Sequence, residues 1–356
     1  MASSKDIIEK FKLLLTDMIK TQIPDIHICS GFAPYIRKHD GNIEYLEQYG
    51  TIDKEEVGYI IVEMIGEDSF MEFKTTLEKD FSYSLNDAKF RVNIFHDSRG
   101  YAIAIRYIPV DIPSLETLNI TKEVKDLLHR GKGLILVTGP TGSGKSTTLA
   151  SMIQYISTNF KKHIITIEDP IEFNLKSNKS LINQREIGTH SESFAKAIKS
   201  ALREDPDVVM VGEMRDPETI SAALTLAETG HLVLSTLHTN DTTQTIDRII
   251  DSFPTGAQNQ IRTQLAMSLN GVVSQILLPK KDSPNRVVAR EILINNDAVK
   301  SLIISGNNHQ LYTIIELSSQ EGMILMDKYL QSLYSKGLIT KETFNSKIRD
   351  RDLTKK

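Results

Sequence analysis

Gly139-Pro140-Thr141-Gly142-Ser143-Gly144-Lys145-Ser146 follows the apolar run Leu134-Ile135-Leu136-Val137 and leads into Thr147-Thr148-Leu149-Ala150. Glycines at these positions let backbone N–H groups converge on an anion without Cβ atoms in the way. A strand before the loop and a helix after it put a helix N-terminus at the same anion. The pattern is that of a phosphate-binding loop, in which Lys145 reaches the β- and γ-phosphates of a nucleotide and Ser146 holds Mg²⁺. The expected ligands are therefore ATP and Mg²⁺, with the binding set running on to Thr147. A plain glycine-rich turn is the bland alternative, and the strand-loop-helix context argues against it.

Ligands of open parallel sheets bind beyond the carboxyl ends of the strands. Three further apolar runs end in polar residues. Ile164 to Ile167 ends in Glu168-Asp169-Pro170, with Glu172 close behind; Val208 to Val211 ends in Gly212-Glu213; Leu232 to Ser235 leads to His238-Thr239-Asn240. Hydrolysis at a γ-phosphate needs a positioned water and a group that accepts or polarises its proton. Glu213 is the first choice for that group. Glu168 is the second, either orienting the water or lying in the outer shell of the metal. A lone histidine is more often structural, but beside these neighbours His238 reads as a γ-phosphate sensor. Gly212 stands where many P-loop ATPases carry a metal-binding Asp, which leaves Ser146 as the one assigned Mg²⁺ ligand.

A third group of candidates lies earlier in the chain. The segments Lys89 to His96 and Tyr101 to Tyr107 flank the turn-like Asp97-Ser98-Arg99-Gly100, which predicts a hairpin with Arg91 opposite Arg106. Facing like charges destabilise a sheet unless an anion or solvent separates them. The pair is thus either a solvated basic face or two arginine fingers for a nucleotide phosphate, most naturally one bound by a neighbouring subunit.

These residues must be positioned by two domains, as the length of 356 residues suggests. The first, 1–108, mixes short apolar stretches such as Ile26-His27-Ile28 with turns such as Asp40-Gly41. It opens with a helix whose apolar residues (Ile7, Ile8, Phe11, Leu14, Leu15, Met18, Ile19) recur at helical spacing. Pro109 and Pro113 mark a linker over 109–115. The remainder, 116–356, reads as a parallel sheet covered on both faces, with strands at Gly133–Thr138, Ile164–Ile167, Val208–Val211 and His231–Ser235 and closing helices over roughly 297–348. With 40% apolar and 25% charged residues the chain is a folded globular protein. A net charge of -4 lacks the basic field of a nucleic-acid tracker. The single cysteine, Cys29, fits a reducing compartment, and no apolar run is long enough to span a bilayer.

Nearly the whole chain resembles the secretion ATPases of type II secretion and type IV pilus systems, and within them the PilT-like retraction ATPases. The resemblance runs through Asp25-Ile26-His27-Ile28, Arg91-Val92-Asn93 and Arg106, the phosphate-binding loop, and Ile167-Glu168-Asp169-Pro170-Ile171-Glu172. It continues through Arg203-Glu204-Asp205-Pro206-Asp207, Gly212-Glu213-Met214-Arg215-Asp216, and Thr229-Gly230-His231 to Thr239-Asn240. It implies an α/β chain with a PAS-like N-terminal domain and a RecA-like ATPase domain. It further implies a homo-hexameric cytoplasmic motor on an inner-membrane pilus platform protein, with no nucleic acid and no transmembrane segment of its own. Arg91 and Arg106 match the family's nucleotide-reaching arginines; Arg185 matches another motif arginine whose role stays open.

One segment departs from the pattern. In Ala298 to Ser305, Ile304 and Ser305 replace an arginine and a glutamate of the retraction ATPases, while Val299, Leu302 and Ile303 keep an apolar helical face. Two alternatives to a motor remain: an accessory retraction ATPase that supports a second motor, or a nucleotide-dependent scaffold without turnover. The latter is disfavoured by the full set of Glu168, Glu213 and His238. No Asn-Lys-x-Asp motif for guanine is present.

Overall fold

The computed structural model describes residues 4–21, 23–37, 42–86, 88–108, 112–283 and 285–349. The expected turn at Asp40-Gly41 and linker residues Pro109, Val110 and Asp111 lie outside them. The chain divides into two compact units, Met1–Asp111 with Pro170–Asn174, and Ile112–Asp169 with Leu175–Lys356.

The first unit contains α1 (Ser4–Thr21), β1 (Asp25–Cys29), β2 (Tyr35–Arg37), β3 (Ile43–Tyr45), α2 (Lys54–Thr76), β4 (Glu78–Leu85), β5 (Ala88–Asp97) and β6 (Gly100–Ile108). The six strands form an antiparallel sheet in the order β3-β2-β1-β6-β5-β4. Helix α1 buries Ile7, Phe11, Leu14, Leu15 and Met18, spaced three or four apart, so they form one stripe. Helix α2 starts at a reciprocal cap, in which Asp53 accepts from the Glu56 N–H and Glu56 accepts from the Asp53 N–H. Alternation along β5 sends Phe90, Val92 and Ile94 into the core shared with α1 and α2, and leaves Arg91 and Asn93 on the other face. The β5–β6 turn is held by Asp97 Oδ1, which accepts from the N–H groups of Arg99 and Gly100.

The second unit contains α3 (Lys122–Leu128), β7 (Gly133–Thr138), α4 (Lys145–Asn159), β8 (His163–Glu168), β9 (Leu181–Glu186), α5 (Phe194–Ala201), β10 (Val208–Val211), α6 (Pro217–Glu228) and β11 (Leu232–Leu237). It continues with α7 (Thr242–Asp251), α8 (Thr255–Ser268), β12 (Leu269–Pro279), β13 (Arg286–Ile294), α9 (Asp297–Ser305), α10 (Leu311–Leu317), α11 (Met326–Ser335) and α12 (Lys341–Lys347). The sheet order is β13-β12-β7-β11-β10-β8-β9. Every residue of β7, β10 and β11 is buried, as expected for strands covered on both faces. The sheet is not wholly parallel, however. Strands β12 to β9 run parallel, but β13 returns antiparallel to β12, from Gly271 opposite Ile294 to Pro279 opposite Arg286. A short connection can join only antiparallel neighbours, and β12 and β13 are separated by residues 280–285. In α9, Val299 and Ile303 are buried, Leu302 is half-buried and Ile304 is exposed.

Candidate nucleotide-binding site

The order β7-β11-β10-β8 sets the loop after β7 beside the strand ending near His238, then the one preceding Glu213, then the one ending in Glu168. Lys145, the first residue of α4, is buried, and its ammonium donates to the carbonyls of Gly139 (2.9 Å) and Pro140 (3.1 Å). It also lies 3.5 Å from His238 Nδ1. An ammonium has no lone pair, so Nδ1 can only accept in that contact, and the second ring nitrogen, Nε2, is turned the other way. That nitrogen faces Glu213 Oε2 at 3.5 Å, and Glu213 Oε1 is paired with Arg215 at 2.6 Å. Three residues expected to act together are thus adjacent in the order Lys145, His238, Glu213. The two contacts of the imidazole are long, so they orient the groups without locking them.

Glu168 lies one strand farther along and is also buried. It accepts from Thr166 (2.6 Å) and from Gln184 Nε2 (3.0 Å), side chains that the parallel register of β8 and β9 sets opposite each other. Arg185, the next residue on β9, is paired with Glu204 at 2.8 Å.

The loop itself fits a polyphosphate. Gly139, Gly142 and Gly144 have φ of +145°, +76° and +85°, values open chiefly to glycine. A Cβ on Gly139 would lie 2.2 Å from the Gln275 carbonyl oxygen. Gly144, the N-cap of α4, offers no side-chain cap, so the helix's leading N–H groups remain for a ligand, and Ser143 Oγ is buried without a hydrogen-bond partner. Pro140, Thr141 and Ser146 are exposed around the loop, and Thr147 is half-buried behind them. Among the described residues no cluster of three His, Cys, Asp or Glu could hold a metal. Mg²⁺ at this site would thus need nucleotide oxygens together with Ser146, its usual habit with phosphates.

In the first unit the expected register is present: Arg91 pairs with Arg106 across β5 and β6. The anion that relieves their repulsion is internal. Asp25, opposite Arg106 on β1, accepts from Arg106 Nε (2.7 Å) and Nη2 (3.3 Å), and this bonding raises the Arg106 pKa. Arg91 makes no ion pair among the described residues.

Two parts of the site's support escape a reading of strand ends. Gln275, on β12, bonds both the loop and α4. Asp241, three residues after His238, caps α7 by accepting from the Gln244 N–H, and its other oxygen faces Arg349 at 3.0 Å. A carboxamide in the apolar run Val272 to Leu278 was the available signal for the first, since a buried amide must find partners. Arg349 lies far along the chain and carries no such signal.

A glycine loop between a buried strand and an uncapped helix, with a lysine, a histidine and a carboxylate converging beside it, defines a P-loop ATPase. Residues 2–319 match the family model described as type II/IV secretion system protein. A twitching motility protein from Neisseria gonorrhoeae is 48% identical over 333 residues, covering 93% of this chain and 88% of that protein. The type IV pilus retraction ATPase PilT of Pseudomonas aeruginosa is 42% identical over 337 residues, covering 94% of this chain and 97% of that protein. A crystal structure of the pilus retraction motor PilT with bound ADP superimposes with a TM-score of 0.89 at 42% identity, covering 96% of this chain and 98% of that one. The chain belongs to the type II/IV secretion ATPase family, among its PilT-like pilus retraction ATPases.

Proposed function

We propose that this chain is the ATP-hydrolysing subunit of a homo-hexameric motor that powers type IV pilus retraction, working in the cytoplasm against an inner-membrane platform protein. In this reading residues 1–108 form a PAS-like domain, 109–115 a linker and 116–356 a RecA-like ATPase domain. The observation that carries it is the adjacency of Lys145, His238 and Glu213 at the carboxyl ends of neighbouring parallel strands. Gly139 to Thr147 cradle the phosphates, and Lys145 moves from the Gly139 and Pro140 carbonyls onto the β- and γ-phosphates. Ser146 holds Mg²⁺, which when bound neutralises charge on those phosphates. Glu213 accepts the proton of the attacking water, His238 senses the γ-phosphate and Glu168 orients the water through its fixed carboxylate. Arg91 and Arg106 serve the nucleotide of a neighbouring subunit, for which Arg106 must leave Asp25. No helix among the described residues is long and apolar enough to cross a membrane.

A second reading, an accessory ATPase that supports another retraction motor, is favoured by Ile304, exposed on α9 where the retraction ATPases have an arginine. One experiment separates the readings: ATP turnover and particle mass of purified wild type and Glu213→Gln, with pilus retraction in cells carrying this chain as their sole retraction ATPase. The motor predicts a turning-over hexamer, loss of hydrolysis with retained ATP binding in Glu213→Gln, and retraction. Turnover without retraction would favour the accessory reading, and tight binding without turnover a scaffold.

A further inference from the structure

Strand β12 outruns β7. Ser274 is the partner of Thr138, the last residue of β7, so Gln275 stands level with the start of the phosphate-binding loop. Its side chain, 1% exposed, spans from the loop to the helix that follows. Nε2 donates to the Ser143 carbonyl at 2.8 Å, and Oε1 accepts from the Thr148 hydroxyl at 3.0 Å. The Ser143 carbonyl can only accept, so the orientation of the carboxamide is fixed by its partner. The main chain meets the loop as well, through the close approach of Gly139 to the Gln275 carbonyl. One residue of a neighbouring strand therefore braces the loop at its first glycine, at Ser143 and at the first turn of α4.

We propose that Gln275 is a positioning residue for the nucleotide: its carboxamide N–H holds the Ser143 carbonyl, and with it the loop's N–H groups, in the phosphate-binding arrangement. A peptide unit is planar, so fixing the Ser143 carbonyl also fixes the Gly144 N–H on the opposite side of that unit. The N–H groups a polyphosphate uses are those of this loop and of the first turn of α4. Without the amide, the Ser143 carbonyl is left buried and unpaired, and the peptide is driven to turn elsewhere. This inference rests on reading Gly139 to Thr147 as the nucleotide site.

The test is the affinity of the full-length protein for Mg-ADP, by calorimetry, in wild type, Lys145→Ala, Gln275→Met, Gln275→Glu and Thr148→Val, with melting temperatures recorded without nucleotide. Gln275→Met keeps the volume and removes both bonds, and should weaken affinity about tenfold, the upper range for a lost neutral hydrogen bond. Thr148→Val leaves the bond to Ser143 and should stay within about threefold of wild type. Gln275→Glu supplies a readout that simple packing would not move. A neutral carboxylic acid can donate to Ser143 and accept from Thr148 as the amide does, whereas a carboxylate faces the carbonyl with like polarity. Burial and that carbonyl both favour the neutral form. Affinity relative to wild type at the same pH should thus be near one at acid pH and fall as pH rises. A pH-independent ratio in Gln275→Glu, affinity in Gln275→Met within twofold of wild type, or equal losses in Gln275→Met and Thr148→Val would each overturn the proposal. Failure of wild type to bind ADP, or unchanged binding in Lys145→Ala, would instead remove the nucleotide-site reading beneath it.

Discussion

Arg349→Ala tests whether the loop carrying His238 is held from the far end of the chain. Asp241 is fully buried, and Arg349 supplies the cation facing its Oδ2 at 3.0 Å. The contact is between charges without an aligned hydrogen bond, since that oxygen accepts none. Arg349 Nη1 also donates to Tyr312 on α10 at 3.2 Å, while its own N–H is tied to Asp327 on α11. Removing one partner of a fully buried pair costs about 3–5 kcal/mol, and of an exposed pair about 0.2–1 kcal/mol. Here one partner is buried and the other has a side chain 42% exposed, so about 2 kcal/mol is expected after solvent screening. In a unit of this size that lowers the melting temperature by about 4–8 °C. The affected transition is identified as the one that ADP raises. Asp241→Asn removes the charge that needs a cation, so in that background Arg349→Ala should cost about 1 kcal/mol less. Additive effects in this double-mutant cycle, or a shift of Arg349→Ala below about 1 °C, would refute the reasoning.

Arg106→Ala subunits and Lys145→Ala subunits, each inactive alone, should recover ATP turnover when assembled together, because some interfaces then pair an intact loop with an intact arginine; demonstrated mixing without recovery would confine Arg106 to its bond with Asp25. Asp207 carries a pH dependence. Burial alone would raise its carboxyl, but Lys162 and the His163 N–H outweigh it and hold the folded pKa below the ordinary 3.8. Its contribution to stability is thus fully present above the unfolded value and is lost as pH falls through the folded one. Asp207→Asn should flatten the fall of melting temperature between about pH 5 and pH 2, and an unchanged acid slope would count against this origin.

The legible part of the site was that in which one local rule decides the structure. Four apolar runs ending in polar residues gave four buried strands, and the turn Asp97 to Gly100 set Arg91 opposite Arg106. Helix α1 was equally plain, because one stripe of apolar residues faces one core. What the runs could not give was their neighbours in space. Strand β12 follows α8 directly, with Ser268 ending one and Leu269 opening the other, so no turn residue separates them. Its partner β13 contains Arg290 and Glu291, both 1% exposed, and a pair of adjacent charges gives no local sign of a buried strand. Arg290 donates through Nη1 to the carbonyls of Leu118 and Asn119, and Glu291 accepts from Thr242 and from the Met326 N–H, all remote in the chain. The Arg106–Asp25 pair was hidden for the same reason. Its partners lie 81 residues apart, brought together by the pairing of β1 with β6.

The bonds of Lys145 bear on how fast ligands come and go. Its ammonium already has acceptors in the Gly139 and Pro140 carbonyls, so an incoming phosphate exchanges one set of oxygen partners for another and gains only the difference. The loop's own carbonyls act as a tethered competitor at fixed effective concentration. Orthophosphate, with few other contacts, would compete poorly against them. On the proposed reading of the site, a nucleotide polyphosphate would bring enough additional contacts along Gly139 to Thr147 to win the exchange. In the proposed cycle the same carbonyls would take back the lysine after hydrolysis, which offsets part of what inorganic phosphate would gain by rebinding.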